Sequence, residues 1–279
     1  MLKLLKLYFT ILSQINPKLS SKQAFNLFQR VRIKKIRERE KPFFEKAKHF
    51  TFKSNNDILD AYAFGKPTKN IVILIHGWDS NAGSLYGFVE KLLTQGKYVV
   101  GFNLPGHAFH KSYKTNLFHS KNVFKSFLES LPNYNSLSII SHSFGSAVTT
   151  YALSELNIKV NQLVFLTTPN HIIDIFEEFK KIIGLGDKAY QLLIEKTNNV
   201  LGEPITRLSI ENKLKNCQYN HLHLIHDKYD KVIPFTNSEN IYFKVKNTSI
   251  YPFENIGHYR MLWNDDVINQ TIKCLSNPQ

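Results

Sequence analysis

Cysteine is scarce in this chain, which has two, Cys217 and Cys274, among 279 residues. Two thiols cannot build the disulfide framework on which small secreted domains depend, so a reducing compartment is the default expectation. Long apolar runs are also lacking, and the apolar stretch at residues 1–12 is interrupted by Lys6. It is shorter than the roughly 20 residues that span a bilayer, and no small-x-small cleavage site follows it. We therefore expect a cytoplasmic protein.

Acidic residues are almost missing from the first fifty positions, where thirteen Lys and Arg against three Glu give +10 of the formal net charge of +14. Residues 1–45 are predicted to form a basic helical arm. Ser20-Ser21 can cap a helix that runs to about Glu40, with four apolar residues at near-helical spacing, Phe25, Phe28, Val31 and Ile36. The arm either packs on the rest of the protein, which we favour, or lies on anionic membrane, peripheral to its inner face. Nucleic-acid binding is disfavoured, since no recognition motif accompanies the charge.

Strand-like apolar runs alternate with helical stretches over residues 46–279. A hairpin is predicted first, and six further strands follow, at 47–52, 58–64, 71–75, 98–102, 137–142, 163–167, 221–226 and 249–253. Helices are predicted between them, near 83–95, 118–130, 143–156, 235–244 and 260–275. This alternation predicts one α/β domain with a mostly parallel eight-stranded sheet flanked by helices.

Ser143 lies where a predicted strand turns into a predicted helix. The apolar run 136–140 precedes it, small residues follow it over 146–153, and it is the middle residue of Ser141-His142-Ser143-Phe144-Gly145. This pattern is typical of a nucleophile elbow, a sharp turn that lifts a serine hydroxyl out of the sheet. The Phe144 amide would then lie at a helix N-terminus, where it can donate to a developing oxyanion.

A serine hydroxyl is a weak nucleophile, so it needs a base and an acid that orients the base. The strand predicted at 221–226 runs into a loop with two carboxylates, Asp227 and Asp230, and either can be the acid. His258 follows the strand predicted at 249–253 and is the candidate base. The order Ser, Asp, His along the chain differs from the orders in chymotrypsin-like and subtilisin-like proteases.

Trp78 is the candidate for a second oxyanion donor, through its backbone amide. The β-branched run 71–75 is typical of a strand buried on both faces of a parallel sheet, and it leads directly into His76-Gly77-Trp78. Gly77 permits the backbone to fold back over the site, and His76 is expected to brace this loop by hydrogen bonds. His76, Gly77 and His142 are also predicted to border the bound substrate.

These motifs resemble those of the α/β-hydrolase fold superfamily, and in particular bacterial hydrolases without an assigned substrate. The matching motifs span most of the chain: His76-Gly77-Trp78, residues 103–107, residues 141–145, His226-Asp227 through Pro234, and Gly257-His258. The resemblance implies that the second acid of the loop, Asp230, contacts His258, while Asp227 has a bracing role. Two motifs depart from the usual pattern, because Ser141 replaces a common glycine and Asn103 and Ala108 replace a common Asp and Gly.

The resemblance implies a serine hydrolase that cleaves a small carboxylic ester or thioester through an acyl-enzyme and needs no cofactor. Carboxylesterases, lipases and thioesterases are the expected types. The resemblance also implies a helical cap, which the apolar pattern at about residues 170–217 matches. The alternative is an inert relative that serves as a ligand-binding or membrane-surface module. No metal is expected, although His221, His223, His226 and Asp227 have ligand-like spacing, because helices would cover this strand on both sides.

Overall fold

The computed structural model describes residues 2–55 and 57–276. Within these residues eight strands form one sheet: β1 (Lys48–Ser54), β2 (Asp57–Phe64), β3 (Asn70–Ile75), β4 (Tyr98–Phe102), β5 (Ser136–His142), β6 (Lys159–Leu166), β7 (Gln218–Asp227) and β8 (Thr248–Phe253). Their order in the sheet is β1-β2-β4-β3-β5-β6-β7-β8. The β1–β2 and β2–β4 pairs are antiparallel and the other pairs are parallel. The prediction of a mostly parallel eight-stranded sheet is confirmed.

The α-helices over the same residues are α1 (Leu2–Ile15), α2 (Pro17–Phe28), α3 (Lys41–Lys46), α4 (Tyr86–Thr94), α5 (Leu117–Glu129), α6 (Phe144–Leu153), α7 (Ile172–Ile183), α8 (Asp187–Leu201), α9 (Ile210–Leu214), α10 (Thr236–Lys244) and α11 (Asp265–Ser276). Five of them, α4, α5, α6, α10 and α11, lie at the helical stretches predicted from the sequence. The helices α4, α5, α6 and α10 connect successive strands, as parallel pairing requires, because the chain must cross back before each new strand begins, and α11 follows the last strand, β8.

The core lies between the sheet and its helices. The five apolar residues of β3, Ile71 to Ile75, are at most 2% exposed. On one side, Val72 and Leu74 share an apolar cluster with residues of α4 and α11, such as Phe88 and Ile268. Burying one such side chain contributes about 1.5–3 kcal/mol. The strand β3 is therefore covered on both faces.

The chain divides into two compact units. One contains the residues up to Arg30 together with His171–Ser209, and the other contains Val31–Asn170 and the residues from Ile210 onward. The first unit is helical, with α1 packed on α2 and α7, and α2 packed on α8. The boundaries of these units differ from the boundary between the two predicted domains, which lies at residue 45.

The helix predicted over residues 20–40 is wrong at its start and in its second half. The N-cap of α2 is Asn16, whose side chain accepts from the Leu19 amide, and the predicted capping residues Ser20-Ser21 lie inside the helix. The helix α2 ends at Phe28, and residues 31–37 follow without helical structure. The Val31 amide donates instead to the Tyr113 carbonyl, at 2.8 Å. Hydrogen bonds to a distant loop thus replace the intrahelical ones, and the hydrophobic period of the sequence contains no information about such partners.

Candidate active site

Ser143 lies in the turn between β5 and α6. Its backbone has φ 52° and ψ −120°, a conformation that non-glycine residues seldom adopt. The close packing of this turn requires glycine two residues later, because a Cβ on Gly145 would lie 2.6 Å from the Ile75 carbonyl oxygen. The turn thus has the sharp, strained geometry of a nucleophile elbow at the carboxyl end of β5.

Three side chains from distant parts of the chain meet at this edge of the sheet. His258 Nε2 lies 3.1 Å from Ser143 Oγ, and His258 Nδ1 lies 2.7 Å from Asp230 Oδ2. The side chains of His258 and Asp230 are 3% and 0% exposed. Because an ionised carboxylate accepts at Nδ1, the proton of the neutral ring lies on Nδ1 and Nε2 has a free lone pair. The arrangement can therefore accept the proton of the Ser143 hydroxyl.

Asp230 is held by the loop that carries it. Its Oδ1 accepts from the amides of Val232 and Ile233, at 2.7 and 3.1 Å. Burial by itself would raise the pKa of Asp230, but hydrogen bonds with neighbouring histidines and the Val232 amide outweigh burial and hold the pKa below its ordinary value. The carboxylate is therefore charged at neutral pH, as the bond to His258 Nδ1–H requires.

Asp227 has a separate set of partners. Its Oδ1 accepts from the Tyr229 amide at 2.7 Å, and its Oδ2 accepts from the amides of Ile256 and Gly257, the latter at 2.7 Å. The residue is fully buried. Asp227 therefore ties the loop after β7 to the loop that leads into His258.

The loop after β3 passes directly beside Ser143. A Cβ on Gly77 would lie 3.1 Å from Ser143 Cβ, so glycine is needed for this approach. The Trp78 ring packs edge-on against the Phe144 ring, with centroids 5.1 Å apart. The Phe144 amide belongs to the first residue of α6, where an amide has no intrahelical acceptor. The two predicted oxyanion residues are thus neighbours beside the elbow.

His76 is fully buried. Its Nδ1 donates to the Gly77 carbonyl at 2.8 Å, and its Nε2 accepts from the Leu104 amide at 3.0 Å. Burial lowers the pKa of His76 well below its ordinary value, so the ring is neutral. Both nitrogens bond to backbone groups and the ring has no exposed surface. As placed, the side chain does not support the predicted contact with a substrate.

His142 is 1% exposed and lies next to the candidate base, with its ring centroid 4.8 Å from that of His258. Its Nε2 donates to the His258 carbonyl at 3.1 Å. Burial, and then the proximity of His258, lowers the pKa of His142 to about 3, so the neutral ring places no positive charge beside the base. The predicted contact with a substrate is again unsupported, and the observed contact is with the backbone of His258.

An ion pair at the residue after Trp78 was missed by the sequence analysis. The Asp79 carboxylate accepts from the Arg32 amide at 2.8 Å and from its guanidinium at 2.9 and 2.8 Å. The Asp79 amide donates to Nε2 of the buried His107, at 3.3 Å. Asp79 also has a positive φ of 53°. Arg32 is 47 residues away in the chain, so local sequence patterns gave no signal for this pair.

The histidines of β7 form hydrogen bonds with protein groups. His221 Nε2 lies 2.9 Å from Ser249 Oγ, and His226 Nδ1 lies 2.7 Å from Ser238 Oγ. His223 Nε2 likewise lies 2.9 Å from Gln162 Oε1 of β6. Across the part of the chain that the structure describes, no group of three or more His, Cys, Asp or Glu side chains is arranged to hold a metal ion.

The family of the chain follows from its match to a family model. The model of the alpha/beta hydrolase fold matches residues 70–254, which is more than half of the chain. This chain therefore belongs to the alpha/beta hydrolase fold family. The matched range contains Ser143 and Asp230, and His258 follows four residues after its end.

Two human proteins and one esterase of known structure are similar to this chain. Serine hydrolase-like protein 2 of Homo sapiens is 25% identical over 167 residues, or 59% of this chain and 52% of that protein. The match thus spans about half the length of that relative. Human serine hydrolase-like protein is 28% identical over 138 residues, or 48% of this chain and 67% of that protein. The structure of the Pyrococcus furiosus esterase Pf2001 has a TM-score of 0.65 and 17% identity, covering 88% of this chain and 96% of that one, and shows likeness of fold alone.

Proposed function

We propose that this chain is a serine hydrolase that cleaves a carboxylic ester or thioester. The observation that carries the proposal is the hydrogen-bonded series of Ser143, His258 and Asp230, with distances of 3.1 and 2.7 Å. A serine nucleophile needs a base within hydrogen-bond reach and an ionised acid on the other nitrogen of that base. Similarity to serine hydrolase-like proteins supports the same reaction class.

In the proposed reaction, Ser143 Oγ attacks the acyl carbon while His258 Nε2 takes the hydroxyl proton. Asp230 holds the ring in the required tautomer and stabilises the imidazolium that forms. His258 then gives the proton to the leaving alcohol or thiol, and the acyl group stays on Ser143 as an ester. A water deprotonated by His258 attacks this ester, which releases the acid and restores the serine hydroxyl.

The amides of Trp78 and Phe144 are proposed to stabilise the oxyanion of each tetrahedral intermediate. The Phe144 amide lies at the N-terminal end of α6, where the helix dipole also favours negative charge. A route through a carboxylate nucleophile, as in epoxide opening or dehalogenation, is disfavoured because the elbow residue is Ser143. The proposed chemistry is therefore acyl transfer to a serine and then to water.

An activity-based probe tests this proposal directly. A fluorophosphonate reacts with activated serines, so it is expected to label the full-length protein at Ser143, as read by mass spectrometry of the labelled peptide. Turnover of p-nitrophenyl esters and acyl thioesters of graded chain length then assigns the acyl group. If the folded protein neither reacts with the probe nor turns over any of these substrates, the inert ligand-binding alternative replaces the hydrolase proposal.

We infer that Arg32 positions the Trp78 amide in this reaction. Arg32 holds the Asp79 carboxylate and His107 holds the Asp79 amide, so the peptide that follows Trp78 is fixed from two sides. An oxyanion donor must be oriented before the negative charge develops. Arg32 is therefore a positioning residue, because its effect on the reacting atoms passes through Asp79.

Replacement of the Arg32 guanidinium should change kcat and leave KM nearly unchanged. Arg32→Met is expected to lower kcat roughly ten-fold and to leave KM nearly unchanged, because a displaced oxyanion donor weakens the transition state more than the bound substrate. Lys35→Met removes another exposed cation from the same segment and is expected to match the wild type. A rise in KM without a fall in kcat, or an equal fall in kcat in the two variants, would contradict the role of Arg32.

A further inference from the structure

The helix α1 packs through one narrow face. Phe9 and Ser13 are buried, at 2% and 7% exposure. Ser13 Oγ lies 2.9 Å from Ser20 Oγ of α2 and accepts from the Gly186 amide at 3.0 Å, and Thr10 Oγ1 contacts the Gly184 carbonyl at 3.2 Å. These contacts fix the orientation of α1 within its helical unit, and they therefore also fix which residues point away from it.

The opposite side of α1 is apolar and exposed. Four large residues lie there, and we call them the outer face of α1: Leu4 (72% exposed), Leu7 (55%), Ile11 (47%) and Ile15 (76%). Tyr8 borders this face, and its hydroxyl donates to Gln23 Oε1 of α2 at 2.6 Å. At 3.6 residues per turn the residues of the outer face fall within an arc of about 80°, centred opposite Phe9 and Ser13. Scattered apolar residues are normal on a protein surface, but a continuous apolar stripe along a whole helix is typical of a binding surface.

The charge on the helices α1 and α2 has a single sign. The helices α1 and α2 contain four exposed lysines and no Asp or Glu, the lysines being Lys3, Lys6, Lys18 and Lys22. Among the residues that the structure describes, none of the four forms an ion pair within 4.0 Å. Glu178 of α7 lines a surface depression with Lys3 and Lys6, but it lies 3.8 Å from Lys181. The four lysines are thus available to an anionic partner.

We propose that the outer face of α1 binds the surface of an anionic lipid bilayer. An apolar stripe on a pair of helices that contain lysines and no acidic residues matches a membrane interface, where apolar side chains enter the acyl boundary and ammonium groups meet lipid phosphates. The helix has 14 residues and is about 21 Å long, which suits a position in the plane of the interface. Among the described helices, none has the length and apolar character needed to cross a bilayer. The proposal is independent of the hydrolase chemistry.

Vesicle binding tests the proposal with the full-length protein. Co-sedimentation with phosphatidylcholine vesicles is expected to be weak, and inclusion of phosphatidylglycerol should raise binding about ten-fold or more in low salt, with loss of this gain in high salt. Lys3→Gln with Lys6→Gln should reduce the gain from the anionic lipid. Equal binding to both vesicle types at all salt concentrations, or binding to neither, would overturn the proposal.

Matched variants test whether the outer face makes the contact. Leu4→Gln with Ile11→Gln changes two exposed residues, so the fold should persist, and vesicle binding should fall about ten-fold or more. Ile58→Gln with Val200→Gln changes two apolar residues that are 66% and 62% exposed elsewhere, and it should bind vesicles as the wild type does. Both double variants should turn over a water-soluble ester at the same rate. Failure of the membrane proposal can therefore be distinguished from failure of the proposed function.

The other possible occupant of the outer face is a second copy of this chain. Sedimentation velocity distinguishes it from lipid. If the wild type forms a dimer that Leu4→Gln with Ile11→Gln abolishes, and anionic vesicles do not bind, then the face is a self-association surface and the lipid proposal is overturned.

Discussion

Ser143→Ala is expected to leave the protein folded and to lower kcat for an ester substrate by roughly 10⁴- to 10⁶-fold. The reason is chemical, because no other group can form the acyl-enzyme when the hydroxyl at the elbow is removed, and the residual rate then depends on binding and the oxyanion donors alone. The measurement is kcat on a p-nitrophenyl ester, together with fluorophosphonate labelling. Both signals should be lost from the variant.

Ser141→Ala is the matched control for Ser143→Ala. Ser141 lies two residues earlier in β5, and its buried Oγ lies 2.7 Å from Thr149 Oγ1. Its replacement removes one buried hydrogen bond and is expected to reduce the free energy of unfolding by about 1–3 kcal/mol, with little change in kcat. Retained turnover or retained labelling in the Ser143 variant would assign the nucleophile elsewhere and refute the mechanism.

Asp230→Asn should give the second largest effect, a fall in kcat of roughly 10⁴-fold. An amide is uncharged, so it cannot stabilise the imidazolium of His258, and its NH2 group favours the wrong imidazole tautomer. The remaining carbonyl oxygen can still accept from the Val232 amide. The fold should therefore persist, as checked by circular dichroism and urea unfolding, while the turnover of the ester is lost.

Asp227→Asn is the comparison that separates the two acids of the same loop. Asp227 accepts from the backbone amides of Tyr229, Ile256 and Gly257. Loss of its charge weakens these hydrogen bonds, so we expect a stability loss of about 1–3 kcal/mol. The loss of kcat should be roughly a hundred-fold smaller than in Asp230→Asn. If Asp227→Asn has the lower kcat of the two folded variants, the assignment of Asp230 as the acid is wrong.

Much of the fold could be predicted because it depends on local patterns. The β-branched run at 71–75 predicts a central strand, and the structure places β3 there with both faces covered. The helix predicted over 20–40 failed for the opposite reason. Phe28 packs on Phe176, whereas Val31 contacts Gly106, so residues at one helical spacing serve two different environments. Such a division depends on contacts between residues that are far apart in the sequence, and a hydrophobic period does not indicate these contacts.

The roles of buried histidines were also beyond local patterns. A histidine beside a nucleophile suggests substrate contact when only the sequence is known. The structure instead buries His142 and directs its Nε2 to the His258 carbonyl, 116 residues away. Likewise, His76 is held by the Leu104 amide, which lies in the loop just after the neighbouring strand β4. Burial and partner choice are properties of the assembled sheet, so sequence spacing cannot supply them.

The local sequence is sufficient to predict the elbow, because the sharp turn at Ser143 needs an apolar strand before it, small residues after it and glycine at 145. Which carboxylate reaches the imidazole depends instead on the packing of the loops. Asp227 and Asp230 are three residues apart in one loop, and each is a chemically adequate acid. The backbone of that loop turns Asp230 towards His258 Nδ1 and Asp227 towards the amides of Ile256 and Gly257. The two acids differ in the direction in which their side chains point, and that direction is set only when β7, β8 and their loops have packed together.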